Sequence, residues 1–561
     1  MTQIIISFLI FTLLVGFFSW RATRRDSRST TTGYFLAGRS LPWIVVGGSL
    51  LLTNLSTEQL VGLNGGAFAN GMQVMAWEVW SSIAIVLMAL VFLPRYLKGG
   101  VATVSLFLER RYSKVVGTAV SVLLLLSLLT NLLPFVLYSG AIFMRDAFEL
   151  DGLLSALFDR NIDETQALWM IVIALGVVGS LYAIFGGLKA VAISDTFNGI
   201  GLLIGGLLIP ILGLITLGNE LGGGGGFGSG ISYLMENSPE RLSPIGKEDE
   251  NIPFSTLFTG MLLITTYYWC TNQAIVQRTF ASKSLAEGQK GVLFAAGMKL
   301  LGPVYLVLPG IIAWHIFGDT IKGDNSYGAL VEKVLPAPLF GFFAAVIFGA
   351  ILSSFNSSLN SAATLFSIDI YKGWIKKEAT DVQMVRAGKF FGIVIAVGAI
   401  LLAPMIDGLK EKFDGLFDLM KNLAALYNIP LLAVVLMGIF HKRVTSAGAM
   451  TAIIVGFLFW GVFGLGWGTS SNYNFGGKVE GTDLVRLFNL EMHWLHLAAI
   501  NFLLISGIMI VMAVINPREK AYEQTYTNDV DITPWKGAKA CGAIILVLIA
   551  LMYWAMSFFG A

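Results

Sequence analysis

The sequence predicts an all-α integral membrane protein with about 14 transmembrane helices. Of its 561 residues, 55% are hydrophobic and only 13% are charged, whereas soluble domains contain about 25% charged residues. Apolar stretches of about 20 residues, the length of a helix that crosses a bilayer, recur along the whole chain. The predicted spans are 1–20, 43–70, 72–97, 115–147, 166–184, 190–216, 254–278, 288–316, 337–371, 382–405, 415–440, 446–467, 494–514 and 537–559.

The charges of the connecting segments predict the orientation of these helices. Connections after odd-numbered spans are basic, with Arg21, Arg24, Arg25, Arg28, Arg39, Lys98, Arg110, Arg111, Lys114, Lys189, Lys283, Lys290, Lys372, Lys376, Lys377, Lys442, Arg443, Arg518, Lys520 and Lys536. Connections after even-numbered spans are acidic or mixed, with Asp159, Asp163, Glu164, Glu236, Glu240, Glu248, Asp249, Glu250, Glu480 and Asp483. Because positive loops stay cytoplasmic, we expect both termini outside the cytoplasm.

Composition also narrows the classes of partner. The net charge is +2, and the basic residues are spread over short loops, so no nucleic-acid partner is predicted. Cys270 and Cys541 both lie in apolar segments, which argues against a disulfide framework or a thiolate metal site. The four histidines are scattered and form no zinc-binding pattern. The lipid bilayer is the one partner that composition itself predicts.

The chain is predicted to be a single membrane domain built from two groups of five helices. A glycine-rich external linker, 217–253, separates the first group (43–216) from the second (254–440). One helix, 1–20, precedes the groups, and three peripheral helices, within 446–561, follow them. This order suits two inverted halves, as in many transporters. The glycine run itself lacks the Lys-Ser/Thr of a phosphate-binding loop.

The polar cluster from Thr53 to Gln59 interrupts the apolar span 43–70. It includes Asn54, Ser56 and Glu58, and an acidic residue at the centre of a membrane helix costs about 2.5–3.5 kcal/mol. Such a cluster is tolerated where the helix is broken and lines a cavity. Discontinuous helices of this kind mark the binding sites of transporters. The alternative is a buried polar contact between helices.

Further polar residues in apolar spans are candidates for binding a hydroxylated solute. Glu78 and Ser81 share one helix face and suit a polyol, although Glu78 could instead be a helix-packing residue paired with a base. Tyr268 and Trp269 have aromatic rings that suit the CH face of a sugar, and such residues are also common at membrane interfaces. Lys299 must meet a carboxylate or face water.

A hydroxyl-rich stripe on span 337–371 predicts a cation site. Its members are Ser353, Ser354, Asn356, Ser357, Ser358, Asn360, Ser361 and Thr364. Neutral oxygens, together with carbonyls freed by a broken helix, suit a hard cation, and Na⁺ is the preferred occupant. Asp195 could bind a second cation, could mark the ion's exit route, or could form a structural ion pair with a loop lysine.

Several of these segments resemble the solute:sodium symporter family, specifically its sodium/sugar branch, over about 34–443. The segments that carry the resemblance are Gly33–Trp43, Tyr268–Trp269, Gln277–Thr279, Ala281–Ser284, Gln289–Gly291 and Asp369–Lys372. Within this branch the chain is most similar to uncharacterised bacterial permeases. The resemblance implies a leucine-transporter-like core of two inverted five-helix repeats, with one helix before it and three after it.

The resemblance also implies roles for particular positions. Asn54, Glu78, Ser81, Thr265 and Lys299 match sugar-contacting places, with Gln59 beside them. Tyr268 matches the aromatic residue that closes the inner side of the site, with Trp269 next to it, and Leu63, Trp77 and Phe417 match the hydrophobic outer gate. The principal sodium site corresponds to carbonyls of Leu52, Leu55 and Ala350 and hydroxyls of Ser353 and Ser354. A second sodium, found in some members, corresponds to Asp195 with Ser357.

The chain departs from the family pattern at two positions. Lys421 stands where the family has a sugar-binding glutamine, and together with Lys299 it outnumbers Glu78, which indicates that an anionic or modified sugar could be bound. Asn356 stands where two-sodium members carry a small hydroxyl residue, which leaves the number of sodium ions open.

The expected function is a secondary active symporter, not an enzyme, that imports a sugar or sugar-like polyol together with Na⁺ across the bacterial inner membrane. The alternatives are a Na⁺ symporter of the same fold for an acidic or modified sugar, a sialic acid, another carboxylate or an amino acid. Proton coupling through Glu78 or Asp195 and a transporter-like sensor or channel are further alternatives.

Overall fold

The chain is helical throughout the part that the structure describes. The computed structural model describes residues 2–24, 29–410, 416–465 and 492–559, and within them there is no β-strand. Helices occupy all the predicted spans in these residues. By length and apolar composition, 11 of the described helices can cross a membrane, or 12 when one bent pair is counted as a span. The all-α membrane class is therefore confirmed, and the count of 14 stays a prediction.

The first half of the chain contains twelve α-helices within the described residues. They are α1 (Thr2–Thr23), α2 (Thr31–Phe35), α3 (Trp43–Asn54), α4 (Thr57–Asn70), α5 (Ala76–Leu87), α6 (Leu93–Lys98), α7 (Val104–Arg111), α8 (Lys114–Ser127), α9 (Leu133–Ala147), α10 (Leu150–Phe158), α11 (Glu164–Glu220) and α12 (Gly226–Asn237).

The second half also contains twelve described α-helices. They are α13 (Gly260–Cys270), α14 (Gln273–Phe280), α15 (Leu285–Lys299), α16 (Leu308–Phe317), α17 (Ser326–Val334), α18 (Ala337–Leu365), α19 (Asp381–Leu402), α20 (Ile406–Lys410), α21 (Leu416–Phe440), α22 (Ser446–Phe459), α23 (Trp494–Ile515) and α24 (Ala538–Ser557). Wider π-type turns continue several of these helices, at Met88–Phe92, Leu128–Leu132, Pro303–Val307, Phe366–Ile375 and Trp460–Gly464.

Two of the predicted spans are interrupted by a short break in the helix. The first break separates α3 from α4, where Leu55 (φ −83°, ψ 60°) and Ser56 (φ −93°, ψ 179°) leave the helical conformation. The second break separates α13 from α14 at Thr271 and Asn272, and the Asn272 side chain caps α14 by accepting a hydrogen bond from the Ala274 N–H (2.9 Å). Each break lies in the first span of one predicted half.

Two further helices change direction at positions that the sequence explains. Within α11, Gly187 has φ 68° and ψ 173°, a conformation that strongly favours glycine, so this long helix contains two membrane spans. The helices Leu285–Lys299 and Pro303–Thr320 are bent by 48° relative to each other. Pro303, the first residue of the second helix, cannot continue the hydrogen bonds of the first because it lacks an N–H and crowds the preceding turn.

The predicted glycine-rich linker is partly helical. The helix α12 lies within it and packs against the end of α11. A Cβ atom on Gly230 would lie 2.0 Å from the Leu214 carbonyl oxygen, and one on Gly218 would lie 2.1 Å from that of Gly226. These glycines therefore allow two helices to approach closely, in addition to supplying turns.

The helices are arranged so that polar groups face inward and apolar groups face lipid. On α1, Leu13 is 69% exposed while Ser19 is 2% exposed, and the Ser19 hydroxyl donates to the Ala190 carbonyl. The broken helix α3–α4 is buried along most of its length and contacts α11, α15, α16 and α18. The candidate site therefore lies at the centre of the bundle, shielded from lipid.

Candidate solute and sodium sites

The break between α3 and α4 frees backbone carbonyl groups. In a continuous helix the carbonyl of Leu55 would accept from the N–H of Gln59, but this N–H donates to Ser56 instead (3.1 Å). Leu52 stands one turn before the break, where helix carbonyls lose their N–H partners. Both residues are at most 1% exposed. The predicted carbonyl ligands for sodium therefore lie in a buried position where their oxygens need a new partner.

The serine stripe of α18 faces this break. The Ser354 hydroxyl donates to the carbonyl of Thr53 (3.2 Å), so α18 lies directly beside the end of α3. The Ser353 hydroxyl is buried and makes no hydrogen bond within the described residues. Ala350, one turn earlier on α18, is fully buried. Neutral hydroxyl and carbonyl oxygens in this arrangement suit a hard cation such as Na⁺.

A buried ion pair lies next to the serine stripe. The Asp195 carboxylate accepts a hydrogen bond from Ser49 (2.6 Å) and lies 3.5 Å from the guanidinium of Arg278. Arg278 also donates to Ser49 (2.7 Å) and to Ser357. Both members of the pair are fully buried. The two residues predicted for a second sodium, Asp195 and Ser357, are therefore linked by Arg278, a cation that sequence reasoning did not assign to this place.

The predicted solute-binding residues converge on one cavity between the two broken helices. The volume that the centres of water molecules can occupy is about 60 Å³, which is enough for about four waters. Eight of the predicted residues line it: Asn54, Gln59, Trp77, Glu78, Ser81, Thr265, Tyr268 and Lys421. Four do not, namely Leu63, Trp269, Lys299 and Phe417.

Lys299 meets the carboxylate that its burial requires. Its ammonium group lies 2.5 Å from Glu78 and also donates to the Asn54 side-chain oxygen. The pair is closed off from solvent, with side-chain exposures of 0% and 2%, and the Trp269 ring lies 5.5 Å from the ammonium group. Lys299 therefore acts behind the cavity wall, where it orients two residues, Glu78 and Asn54, that do line it.

Lys421 lies in the cavity among three aromatic rings. Its ammonium group is 4.6 Å from the centre of the Phe417 ring, 5.1 Å from Trp77 and 5.9 Å from Tyr268. These distances are typical of cation–π contacts. Among the described residues, no carboxylate lies within ion-pair distance of this amine.

Glu58 is the acidic residue of this cavity that the site prediction missed. It lines the cavity and is 3% exposed, and one of its carboxylate oxygens has no hydrogen-bond partner in the structure. The neighbouring Gln59 side-chain oxygen is also without one. By number, the carboxyl groups of Glu58 and Glu78 match the amines of Lys299 and Lys421, so the excess of basic groups inferred from the sequence disappears. The signal was present, since Glu58 belongs to the polar cluster that interrupts the first core helix.

Amide and hydroxyl groups complete the cavity wall. Asn131, Asn272, Gln273 and Asn428 line it, as does Ser127. The Ser81 and Thr265 hydroxyls donate to backbone carbonyls of their own helices, Trp77 (2.6 Å) and Met261 (2.9 Å). They therefore present acceptor lone pairs to the cavity. Asn131 and Asn428 could have been found as isolated amides inside apolar spans.

Aromatic side chains close the cavity toward the linker side. Trp77 packs edge-on against Phe417, with ring centres 5.7 Å apart. Trp77 and Phe417 both line a second cavity of about 200 Å³, which Asn251 from the linker also borders. Gly62 is what allows Phe417 to lie so close, because a Cβ atom there would be 2.8 Å from its ring. Trp77 and Phe417 therefore separate the two cavities, whereas Leu63 is fully buried.

Comparison with known proteins identifies relatives of the chain. Residues 34–456 match the Sodium:solute symporter family. An uncharacterised symporter of Escherichia coli, YidK, is 43% identical over 556 residues, which are 99% of this chain and 91% of the relative. The sodium/glucose cotransporter of Vibrio parahaemolyticus is 30% identical, covering 79% of this chain and 81% of the relative.

Solved structures share the fold. The outward-open, substrate-bound form of a Na⁺-coupled sialic acid symporter aligns with a TM-score of 0.70 at 18% identity, covering 93% of this chain and 98% of that one. A closed form of Mhp1, a nucleobase-cation-symport-1 family transporter, aligns with a TM-score of 0.52 at 16% identity, covering 86% and 94%.

These comparisons confirm the family resemblance seen in the sequence, the coupling ion and the absence of an enzymatic role. The chain belongs to the Sodium:solute symporter family, and it is a multi-pass membrane transporter that couples the movement of a small solute to Na⁺.

Proposed function

We propose that the chain imports a sugar or sugar-like polyol together with Na⁺ across the bacterial inner membrane. The observation that carries the proposal is the composition of the cavity: Glu58, Glu78 and Lys421 line it, and Lys299 pairs with Glu78 behind the wall, so that two carboxyl groups match two amines. A solute with many hydroxyl groups can both donate to Glu58 and Gln59 and accept from Lys421. Relatives of the chain, among them a sodium/glucose cotransporter and sodium/myo-inositol cotransporters, support this class of solute.

The proposed binding mode gives each predicted residue a role. Asn54, Gln59, Glu78 and Ser81 bind solute hydroxyls, Thr265 supplies an acceptor oxygen, and Tyr268 covers the sugar ring with Trp269 behind it. Because the cavity holds only about four waters, a monosaccharide needs more room than this conformation gives. Binding therefore requires Tyr268 on one side, or Trp77 and Phe417 with Leu63 behind them on the other, to move.

We propose that sodium binds between α3 and α18 and couples to the solute through the broken helix. Its ligands are the carbonyls of Leu52, Leu55 and Ala350 and the hydroxyls of Ser353 and Ser354. An ion held there fixes the end of α3, and with it Asn54 in the solute cavity. Sodium therefore raises the affinity for solute only to the extent that it binds the solute-binding conformation more tightly than the other conformation.

One sodium ion per cycle is the stoichiometry that we propose. The second predicted site, at Asp195 and Ser357, stays a prediction, because the Arg278 guanidinium already supplies a positive charge to both side chains.

The proposed topology has 14 spans, two inverted five-helix halves and both termini outside. The matching breaks in α3–α4 and α13–α14 support the two related halves, and the charges of the loops support the positions of the termini.

An acidic or modified sugar is the second candidate solute, and Lys421 is the observation that favours it. Its ammonium group reaches the cavity without an ion-pair partner among the described residues, so a solute carboxylate or sulfate could bind it directly. An anion in this place would also face Glu58, and the repulsion between them is the reason why we rank this class second.

Uptake into proteoliposomes tests the proposal. The wild-type chain is assayed with neutral, amino and acidic sugars and cyclitols, with and without an inward Na⁺ gradient. We expect Na⁺-dependent uptake of a neutral polyhydroxylated solute. Uptake confined to acidic sugars would select the second candidate, and uptake that persists without Na⁺ at low pH would indicate proton coupling instead.

The variant Lys421→Gln separates the two solute classes. If the ammonium group binds a solute anion, the variant loses acidic substrates and gains neutral hexoses. If it binds hydroxyl groups, the variant keeps the same order of preference with weaker affinity. Lys376→Gln, an exposed lysine in the loop after α18, is the matched control.

A further inference from the structure

A separate cavity lies at the opposite end of the bundle, under the segment that joins α23 to α24. This segment, residues 516–537, contains no helix and is called the C-terminal strap. The Tyr522 N–H donates to the Lys442 carbonyl (3.1 Å), and the Thr527 N–H donates to that of Lys98 (3.1 Å). The Gln524 amide donates to the Arg95 carbonyl (2.6 Å). These three hydrogen bonds therefore hold the strap across the end of the bundle at which α6 ends.

The cavity under the strap is larger than the solute cavity and is lined by basic residues. The volume that water centres can occupy is about 480 Å³, and Arg110, Arg518 and Lys520 line it. Glu523 is the one carboxylate on the described wall. Among the described residues, none of the three cations lies within ion-pair distance of a carboxylate. The positive charge in this cavity is thus not neutralised by side chains.

Two of the basic side chains, Arg110 and Arg518, are held in place by contacts that leave donors free. Arg110 donates to the Gly99 carbonyl, and Arg518 donates to the Arg111 carbonyl (2.6 Å). The Tyr522 ring lies 5.0 Å from the Arg111 guanidinium and 5.6 Å from that of Arg518. Since a guanidinium carries five N–H donors, most of those on Arg110 and Arg518 remain available for a ligand.

A further polar group in this cavity lacks a partner. Thr527 lines the cavity, and its hydroxyl oxygen, which is closed off from water, makes no hydrogen bond among the described residues. A buried hydroxyl without a partner is destabilising, and a ligand oxygen in the cavity would relieve this once the Thr527 side chain turned toward it. This observation is independent of the charge of the surrounding side chains.

The position of the cavity places it at the membrane surface. On α23, Val514 and Ile515 are 74% and 77% exposed, as expected for residues that face lipid, and Arg518 follows three residues later. Phe440, 61% exposed at the end of α21, lies under the Arg95 guanidinium at 5.5 Å. Basic pockets at the cytoplasmic ends of membrane helices are suited to phosphate-bearing head groups.

We propose that this cavity binds a phosphate group, with Arg110, Arg518 and Lys520 as its cationic partners and the Thr527 hydroxyl as a further donor. Planar guanidinium groups match the geometry of phosphate oxygens. Retention of positive loops in the cytoplasm explains why basic residues occur at this end, but it does not explain why three of them converge in a cavity. The phosphate belongs either to an anionic phospholipid or to a soluble phosphate compound.

Two binding measurements on the full-length chain test the proposal. In detergent, inorganic phosphate is titrated while the thermal unfolding temperature is followed. In nanodiscs of phosphatidylcholine with phosphatidylglycerol, native mass spectrometry measures which lipid the released protein retains. Both are repeated with Arg110→Gln, with Lys520→Gln and with the double variant. Because both side chains are exposed, replacing them does not disturb buried packing, and Lys376→Gln is the control.

We expect the double variant to bind about tenfold more weakly, as the loss of charge-assisted hydrogen bonds implies, while the control behaves as the wild type. Protection by inorganic phosphate identifies a soluble ligand. Selective retention of phosphatidylglycerol without that protection identifies a lipid head group. Equal behaviour of the wild type and the double variant with both probes would overturn the proposal and leave the proposed transport function untouched.

Discussion

Two buried ion pairs join the predicted halves of this transporter, and they differ in what surrounds them. Asp195 and Arg278 are fully enclosed and line none of the cavities described above, whereas Glu78 of the Glu78–Lys299 pair lines the solute cavity. The other donors of Arg278 are used by Ser49, Ser357 and the Ala274 carbonyl. The first pair is therefore placed to hold helices together, and the second to present a carboxyl group to the cavity that we propose binds the solute.

The choice of base in each pair fits this difference. Arginine keeps its charge in any protein environment, whereas a buried lysine can lose its proton. An unpaired Arg278 would thus remain a buried charge, but an unpaired Lys299 could become neutral and still hydrogen-bond to Asn54. Removal of one partner is consequently expected to lower stability more in the Asp195–Arg278 pair than in the Glu78–Lys299 pair.

The largest effect is expected when the enclosed pair is broken. Arg278→Gln leaves the Asp195 carboxylate without its counter-charge, and removal of one partner of a buried pair costs about 3–5 kcal/mol. We expect a large drop in the thermal unfolding temperature in detergent and a low yield of folded protein. Lys283→Gln, which replaces an exposed lysine in the nearby loop, is the control. An unfolding temperature equal to that of the wild type would show that the pair contributes no stability.

Breaking the solute-facing pair is expected to affect binding more than stability. Glu78→Gln removes a charged hydrogen-bond acceptor, a contact worth about 1.5–3 kcal/mol, which corresponds to a ten- to hundredfold rise in the KM for solute uptake. The unfolding temperature should fall much less than in Arg278→Gln, because Lys299 can lose its proton. Equal losses of affinity and of unfolding temperature would mean that Glu78 is structural.

Replacement of a serine in the proposed sodium site is expected to have a smaller effect, confined to the sodium dependence of uptake. Ser354→Ala removes one proposed ligand hydroxyl, and we expect the Na⁺ concentration for half-maximal uptake to rise about tenfold, so that uptake falls at low Na⁺ concentrations and recovers at high ones. Ser358→Ala, one turn further along α18, is the matched control, since its hydroxyl is bonded to the Ser354 carbonyl (2.9 Å). Unchanged sodium dependence in Ser354→Ala would refute this assignment.

The sequence was sufficient to predict the helical spans in the described residues, the broken first core helix and eight of the residues that line the cavity. These features follow from local patterns, such as a polar cluster in an apolar span or a serine stripe on one helix. It did not predict that Arg278 meets Asp195, or that Lys299 meets Glu78 and Asn54, because each pair joins positions that only the packed bundle brings together. Glu58 was missed for another reason: its charge was visible, but which side of the broken helix it faces depends on the conformation of Leu55 and Ser56.

The smallest effect on stability is expected when both members of the enclosed pair are replaced. In Asp195→Asn combined with Arg278→Met, no unpaired charge remains, and well-packed neutral replacements of buried pairs are often close to neutral in stability. We expect the unfolding temperature to recover to near the wild-type value and the number of Na⁺ ions carried per solute, measured by parallel tracer uptake, to stay at one. If stability recovers but the wild type carries one more Na⁺ than the double variant, Asp195 binds a transported cation. The comparison between a structural pair and a solute-facing pair would then be wrong, because the enclosed pair would belong to the coupling site as well.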